Sequence, residues 1–381
     1  MKKHNISSLE ELSEKSKTNL EWFWESVEKD IGIVWDTPYK KTLDTSNGIQ
    51  WTKWFVEGKT NLYKSSVEKF TKQTPEKIAY NFISEDGIET KLSYVELNTK
   101  VSKLANVFKS LGVKKRDVIA IYLPMIEEAI VSILAAAKIG AVQTIVFSGY
   151  SSESLKTRLQ DCHAKILLTS DGFHRKGKTI SQKTTVDAAV IDTDIEKIIV
   201  VSYKGIDKFE KSDKIQFYDD LILQQDDTCD TEIMNSEDPL FILYTSGTTG
   251  FPKGAVSTHR AVLSALVGFA CRAEIGKLTG SGGEVGVGEG DPAVILCVPL
   301  FHVTGLVPVM MGTFVSGSRL VMMHRWDPDR ALELIEREKI TTFVGVPTMS
   351  WELMESPDFA RRDTSSLSSV SGGGAPAPPE L

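Results

Sequence analysis

Short apolar strands alternate with helical patterns along most of the chain, and this alternation constrains the fold more than any other feature of the sequence. Where a helix separates two strands, it commonly carries the chain back so that the strands pair in parallel. The sequence therefore predicts an α/β fold in which layered, largely parallel sheets are covered by helices. The predicted strands are Val118–Leu123, Val142–Phe147, Ile166–Ser170, Ile198–Val201, Leu240–Tyr244, Val294–Val298, Leu320–Met323 and Thr342–Val346.

Several helix ends carry signals of their own. Ser93 and Glu96 form a predicted capping box at the start of a helix that Gly112 ends. Asp327 is a predicted N-cap, and Pro328 is suited to the first position of the helix that follows. Two further helices are predicted between strands, around Ile126–Ile139 and near Glu153–Gln160.

Residues 1–60 differ from the rest of the chain because tryptophan is concentrated there. Their pattern predicts helical structure over Leu9–Glu28, followed by extended chain that wraps over a larger body. We therefore expect an N-terminal extension at residues 1–60 and a larger domain at residues 61–381. The five tryptophans are Trp22, Trp24, Trp35, Trp51 and Trp54.

Composition and charge exclude several classes of protein. With 41% apolar and 25% charged residues, the chain is typical of a globular protein. Its net charge of −7 and its lack of a long basic run argue against a dedicated nucleic-acid binder. The four cysteines form no CxxC pair, and the N-terminus lacks the apolar core of a secretory signal. A cytoplasmic protein with reduced thiols is therefore expected.

The segment Ala293–Ser318 contains no Asp, Glu, Lys or Arg and is long enough to cross a bilayer of roughly 30 Å. Residues that interrupt a membrane helix occur throughout it. The sequence therefore favours a buried strand, a loop and a buried helix inside an α/β core over a membrane span. The interrupting residues are Pro299, His302, Gly305, Pro308 and Gly312.

The residues that follow the Leu240–Tyr244 strand indicate a polyphosphate site. They combine four hydroxyl groups, three glycines and one lysine within ten residues. Glycines let backbone N–H groups approach an anion, hydroxyls donate to phosphate oxygens, and the ammonium group adds positive charge. A polar surface loop is the alternative, and the turn is not a Walker A loop because Gly254 follows Lys253. The candidate ligands are Thr245, Ser246, Gly247, Thr248, Thr249, Gly250 and Lys253.

Residues 244–254, YTSGTTGFPKG, resemble the signature of the adenylate-forming superfamily, which includes acyl-CoA synthetases, adenylation domains of peptide synthetases and luciferases. Two further segments fit in the same order. Residues 298–305, VPLFHVTG, resemble the segment beside the acyl pocket, and residues 371–376, SGGGAP, resemble the Gly-rich strand end that lies against adenine. The resemblance covers almost the whole chain and implies the large N-terminal domain of such an enzyme.

The first half is most similar to AMP-forming acetyl- and propionyl-CoA synthetases, through the Trp-rich extension and residues 147–178. In that subfamily, basic residues after the last strand meet the 3′-phosphate of CoA. The resemblance assigns this role to Arg175 and Lys178 and places Gly149 beside the pantetheine arm. From spacing alone, a solvated turn is the alternative for Arg175 and Lys178.

The second half is more similar to medium- or long-chain fatty acyl-CoA ligases. His302 stands where acetate-specific relatives typically have tryptophan, which implies room for a longer or aromatic acyl group; a satisfied core histidine is the alternative. Basic-residue usage changes at the same place: residues 1–250 contain 30 lysines and 3 arginines, whereas residues 251–381 contain 3 lysines and 8 arginines. Local drift and a join of two coding sequences near residue 250 are both open explanations.

The resemblance implies a two-step reaction. A carboxylate attacks the α-phosphate of ATP and releases pyrophosphate, and the CoA thiolate then displaces AMP from the acyl-adenylate. Thr245, Lys253 and His302 are the implied catalytic residues. The hydroxyls and the lysine of the turn would steer the β- and γ-phosphates with Mg²⁺, and His302 would line the acyl slot. The adenine would be bracketed by Gly374, Ala375 and Pro376.

The family also implies segments that do not follow Leu381 here. These are a Tyr-Gly-x-Thr-Glu stretch, an Asp that holds the ribose, and a small C-terminal domain with a catalytic Lys. We therefore expect a truncated ligase with poor solubility or partner dependence, whose expected partners are a small carboxylic acid, ATP and CoA. A module that binds nucleotide without turnover and an inactive product of gene joining are the alternatives.

Overall fold

The structure is a computed structural model that describes residues 4–85, 87–175, 178–206, 209–245, 251–279 and 292–373. Its strands are β1 (Lys41–Asp44), β2 (Lys53–Val56), β3 (Ile78–Ile83), β4 (Glu89–Ser93), β5 (Val118–Tyr122), β6 (Val142–Ile145), β7 (Ala164–Ser170), β8 (Gly172–Arg175), β9 (Lys178–Ser181), β10 (Lys197–Val201), β11 (Ile215–Phe217), β12 (Pro239–Thr245), β13 (Lys253–Thr258), β14 (Ala293–Leu296), β15 (Arg319–Met323), β16 (Thr342–Gly345) and β17 (Ser369–Gly372). Its α-helices are α1 (Leu9–Thr18), α2 (Leu20–Ile31), α3 (Lys69–Gln73), α4 (Tyr94–Ser110), α5 (Glu127–Lys138), α6 (Ser152–Asp161), α7 (Lys183–Ala189), α8 (Tyr218–Ile222), α9 (His259–Thr279), α10 (Gly312–Val315), α11 (Pro328–Glu338) and α12 (Pro347–Glu355).

A seven-stranded sheet has the order β11-β10-β7-β5-β6-β12-β13. Neighbouring strands pair in parallel from β11 to β12, and β13 runs antiparallel to β12 at the edge. Helices pack on both faces, so the inner strands are apolar along nearly their whole length. The carboxyl ends of the parallel strands therefore share one edge, which is where open α/β sheets bind ligands.

A six-stranded sheet has the order β17-β16-β14-β15-β3-β4. It repeats the same plan, because its strands are parallel except for β4, which runs antiparallel to β3 at one edge. The carboxyl ends of β14, β16 and β17 consequently lie along one edge as well. The predicted α/β architecture with parallel-rich sheets and covering helices is confirmed.

The capping box that opens α4 forms as predicted. The Glu96 N–H donates to Ser93 Oγ at 3.3 Å, and the Ser93 N–H donates to Glu96 Oε2 at 2.7 Å. Gly112 follows the helix with φ +86°, a conformation that glycine adopts without steric cost. Asp327 caps α11 by accepting from the Arg330 N–H at 2.9 Å. Local sequence therefore determines both helix starts.

The helical prediction over Leu9–Glu28 is confirmed except at Asn19. The structure has two helices, α1 and α2, which are separated by Asn19. Asn19 leaves the helical conformation at φ −134°, and its side chain accepts from the Trp22 N–H at 3.0 Å. Asparagine is a strong N-cap because its side chain satisfies a free N–H of the first turn, and it thus starts a second helix here.

The charge-free segment lies inside the fold as predicted. It begins with β14, continues through a loop, and forms a π-helical turn at Gly305–Met311 followed by α10. Most of these helical residues are buried, and Leu306, Val309, Met310 and Phe314 have no exposed surface. Within the described residues, no helix has both the length and the hydropathy needed to cross a membrane.

Candidate functional site

The β12–β13 hairpin holds both ends of the predicted phosphate turn. Thr245 ends β12 and Lys253 begins β13, and the two residues are cross-strand partners. Both are exposed. Because partners in an antiparallel pair are direct neighbours, the hairpin places a hydroxyl-bearing residue and a lysine side by side at the carboxyl edge of the seven-stranded sheet. The predicted ligands between them lie outside the described residues: Ser246, Gly247, Thr248, Thr249 and Gly250.

The base of this hairpin packs closely around Gly254. A Cβ at this position would lie 2.8 Å from Ile242 Cγ2 and 3.3 Å from the ring of Tyr244. The Tyr244 hydroxyl donates to Asp161 Oδ2 at 2.6 Å. Burial, together with the Asp161 carboxylate, raises the pKa of Tyr244, so the hydroxyl stays protonated and can keep donating. The hairpin is therefore anchored to the end of α6.

The loop that contains Gly149 lies at the same edge of the sheet. It follows β6, the parallel neighbour of β12. The Tyr122 hydroxyl at the end of β5 donates to the backbone carbonyl of Tyr150 at 2.9 Å, and the Tyr150 N–H donates to the carbonyl of Phe147 at 3.0 Å. The half-buried Gly149 is thus held in a fixed turn beside the strand that leads to Thr245.

The predicted CoA phosphate contacts fall on the β8–β9 hairpin. Arg175 and Lys178 are cross-strand partners at its tip, and Lys178 is exposed. The buried carboxylate of Asp171 fixes the base of the hairpin, because it accepts hydrogen bonds from the four backbone N–H groups of residues 203–206, including that of Lys204 at 2.8 Å. The base of this hairpin is therefore held by hydrogen bonds to a buried carboxylate.

Gln182 joins this hairpin to the Gly149 loop. Its side chain has no exposed surface and lies directly after β9. Its Oε1 accepts from the Ser170 N–H at 3.1 Å, and its Nε2 lies 3.4 Å from the carbonyl oxygen of Ser148. One buried carboxamide therefore contacts the end of β7 and the loop after β6, so the two segments predicted to contact CoA share an anchor.

His302 lies on the segment that follows β14. Its side chain is exposed, so it is not a core histidine, and its Nδ1 accepts from the Thr304 N–H at 3.2 Å. The turn requires glycine at position 305, because a Cβ there would lie 2.3 Å from the carbonyl oxygen of Pro299. The neighbouring Phe301 ring packs on Phe147 with centroids 4.9 Å apart. The His302 segment therefore adjoins the loop that contains Gly149.

The predicted adenine contacts lie outside the described residues: Gly374, Ala375 and Pro376. The strand before them is β17, which pairs in parallel with β16 at the edge of the six-stranded sheet. Since β14 also belongs to this parallel set, its carboxyl end and that of β17 share one edge. The chain therefore approaches the adenine segment from the edge that carries His302.

Sequence reasoning missed three residues that organise these loops: Arg158, Asp171 and Gln182. Arg158 has 8% of its surface exposed and lies between the rings of Tyr150 and Tyr244. No local sequence pattern distinguished any of the three. Their contacts join distant parts of the chain, so only the fold reveals them.

Comparison with protein families agrees with this geometry. The model of the AMP-binding enzyme family matches residues 67–381, and the model of the acetyl-coenzyme A synthetase N-terminus matches residues 9–65. The chain belongs to the AMP-binding enzyme family. The predicted membership of the adenylate-forming superfamily, with acyl-CoA synthetases as relatives, is thereby confirmed.

Curated relatives of this AMP-binding enzyme carry the name acetyl-coenzyme A synthetase. The protein of Methanothrix thermoacetophila is 42% identical over 68% of this chain and 39% of its own length. The protein of Pasteurella multocida is 33% identical over 98% of this chain and 57% of its own length. The match therefore covers between 39% and 57% of the length of these two relatives.

A solved structure shows the same fold. The acetoacetyl-CoA synthetase from Streptomyces lividans superposes with a TM-score of 0.82 over 98% of this chain and 56% of its own chain. Sequence identity over this match is 23%, so the likeness concerns the fold alone. It agrees with the two parallel-rich sheets described above.

Proposed function

We propose that this chain is part of an AMP-forming acid–CoA ligase, which joins a carboxylate to CoA at the expense of ATP. The observation that carries the proposal is the pairing of Thr245 with Lys253 at the carboxyl edge of the seven-stranded sheet, beside the loop of Gly149. The family match and the acetyl-coenzyme A synthetase relatives support it.

The chemistry requires positive charge at the hairpin. A carboxylate and ATP repel each other, so the protein must neutralise charge and align the two reactants before the α-phosphate is attacked. Lys253 is exposed at the start of β13 and would attract the β- and γ-phosphates. The Thr245 hydroxyl, on its cross-strand partner, would donate a hydrogen bond to the same phosphates.

The second half-reaction requires CoA beside the acyl-adenylate. We place the pantetheine arm along Gly149 and the 3′-phosphate at Arg175 and Lys178. The shared anchor at Gln182 supports this placement, because it contacts the base of the basic hairpin and the loop that leads to Gly149. The exposed His302 and its apolar neighbours would line the acyl slot and leave room for an acid longer than acetate.

Mg²⁺ would enter this site together with ATP. Within the described residues, no group of three or more His, Cys, Asp or Glu side chains could hold a metal ion. Mg²⁺ commonly binds through substrate phosphates and few protein ligands, and the hydroxyl-rich turn suits such a complex. We also propose a cytoplasmic location, consistent with four free cysteines, and a division into residues 1–60 and 61–381.

Exchange of labelled pyrophosphate into ATP tests the proposal. The assay uses a panel of acids from acetate to long fatty acids, with this chain alone and with the chain fused to the C-terminal part of a curated relative. We expect acid-dependent exchange, at the latest in the fusion. Lys178→Met should weaken CoA binding but leave exchange unchanged, because exchange depends only on the first half-reaction. ATP binding without exchange in either protein would favour a module that only binds nucleotide. If neither protein shows ATP binding or exchange, the ligase assignment is refuted.

A further inference from the structure

A continuous stack of side chains links the three predicted ligand segments. Its members, which we call the aromatic stack, are Tyr244, Arg158, Tyr150, Phe147 and Phe301. The Arg158 guanidinium carbon lies 5.4 Å from the ring centroid of Tyr244 and 4.6 Å from that of Tyr150. The Tyr150 and Phe147 rings meet edge to face with centroids 5.4 Å apart, and the centroid of Phe147 lies 4.9 Å from that of Phe301.

Three members of the aromatic stack adjoin residues of predicted sites. Tyr244 directly precedes Thr245, at the predicted ATP phosphates. Tyr150 directly follows Gly149, at the predicted pantetheine arm. Phe301 directly precedes His302, at the predicted acyl slot. The side chains therefore connect segments that are far apart in the sequence and that must cooperate in both half-reactions.

Arg158 is the one charged member of the aromatic stack and lies where two loops meet. It is nearly buried on α6, where a guanidinium nitrogen donates to the Ser154 carbonyl at 2.6 Å. A desolvated guanidinium between two rings makes strong cation–π contacts with both. Its planar shape suits this position, whereas the compact ammonium of lysine cannot stack on two rings at once.

We infer that Arg158 is a positioning residue that fixes the Gly149 loop against the β12–β13 hairpin, and so couples ATP binding to CoA binding. The inference rests on the proposed function. ATP bound at the hairpin would hold the Tyr244 ring in one position. The contacts of Arg158 with both rings would then also hold Tyr150 and the adjacent Gly149 in place. By linkage, CoA would then strengthen ATP binding by the same factor.

Calorimetric titration of the chain measures this coupling. CoA is titrated with and without saturating Mg²⁺-ATP, in the wild type and in Arg158→Lys, Tyr150→Leu and Tyr150→Phe. In the wild type we expect ATP to strengthen CoA binding by about fivefold or more. Arg158→Lys and Tyr150→Leu should bring this ratio close to one. Tyr150→Phe keeps the ring and is the matched control, so it should keep the wild-type ratio.

The outcomes separate the two proposals. A wild type that binds neither ATP nor CoA would refute the proposed function, and with it the coupling. A wild type that binds both ligands, with variants that keep its ratio, would overturn only the role of Arg158. A purely structural role would lower the melting temperature and both affinities but leave the ratio unchanged. Tyr150 is 37% exposed, so Tyr150→Leu gives the answer even if Arg158→Lys does not fold.

Discussion

A buried histidine makes the stability of this chain sensitive to acid. His259 begins α9, directly after the β12–β13 hairpin, and its side chain has no exposed surface. The Leu62 N–H donates to its Nδ1 at 3.2 Å, so the proton of the neutral ring lies on Nε2. Among the described residues, Nε2 has no hydrogen-bond partner. Burial lowers the pKa of His259 to about 4.

The direction and size of the effect follow from this pKa. An unfolded chain binds a proton at histidine below a pH of about 6.5, whereas the folded chain keeps His259 neutral down to about pH 4. The stability contribution is therefore present above pH 6.5 and falls as the pH falls towards 4. The loss amounts to about 3 kcal/mol over the whole window, and about 2 kcal/mol of it has occurred by pH 5.

A variant is needed to isolate this effect, because Glu128 acts in the opposite direction. Burial raises the pKa of Glu128 to about 7, so its contribution falls as the pH rises from about 4.5 to 7. In His259→Asn, the side-chain oxygen can still accept from the Leu62 N–H but does not titrate. We expect urea unfolding, followed by tryptophan fluorescence, to show that the wild type loses about 2 kcal/mol more than His259→Asn between pH 7.5 and 5. Parallel pH profiles of the two proteins would refute this reasoning.

Other substitutions have equally specific outcomes. Gly305→Ala forces a Cβ to within 2.3 Å of the Pro299 carbonyl and should lower the free energy of unfolding by about 1–3 kcal/mol in urea, as measured by fluorescence. Gly268→Ala, on α9 with nothing within 4 Å of the new Cβ, is the matched control and should raise stability by about 0.5–1 kcal/mol; equal effects at both positions would contradict the packing argument. Gln182→Leu leaves the Ser170 N–H without its buried acceptor and should cost about 1–3 kcal/mol in the same assay. It should also weaken CoA binding but not ATP binding in calorimetry, and an equal loss of both ligands would argue against Gln182 as an anchor of the CoA segments.

Elements whose signals are local could be predicted from the sequence. The capping box at Ser93 and the N-cap at Asp327 each join a side chain to a residue three positions further on, and both form as expected. The break at Asn19 was also a local signal, but the helical pattern on either side concealed it. Eight strands of the two sheets were predicted, because parallel strands that are buried on both faces appear as short apolar runs. The strand β3 and the edge strands β4, β11, β13 and β17 were not predicted.

The candidate site divides in the same way. The turn between Thr245 and Lys253 was found because its glycines, hydroxyls and lysine are adjacent in the sequence. Arg158 could not be found, since its two ring contacts join it to residues before and after α6 and as far away as β12. Asp171 and Gln182 bind backbone groups, which every residue has, so these contacts leave no pattern in the sequence. The ligands assigned to Gly149, Arg175, Lys178 and His302 stay predictions.

The most direct test of this account is the affinity of the chain for Mg²⁺-ATP when Lys253 is replaced. Lys253→Met removes the ammonium group opposite Thr245 and keeps a side chain of similar length. We predict that calorimetry will show ATP binding about tenfold weaker or more, because a charge-assisted contact with phosphate is lost. Lys178→Met, an equal change of charge on another hairpin, should leave ATP affinity unchanged. Equal ATP affinities in the wild type and Lys253→Met would contradict the assignment of this hairpin to the nucleotide phosphates.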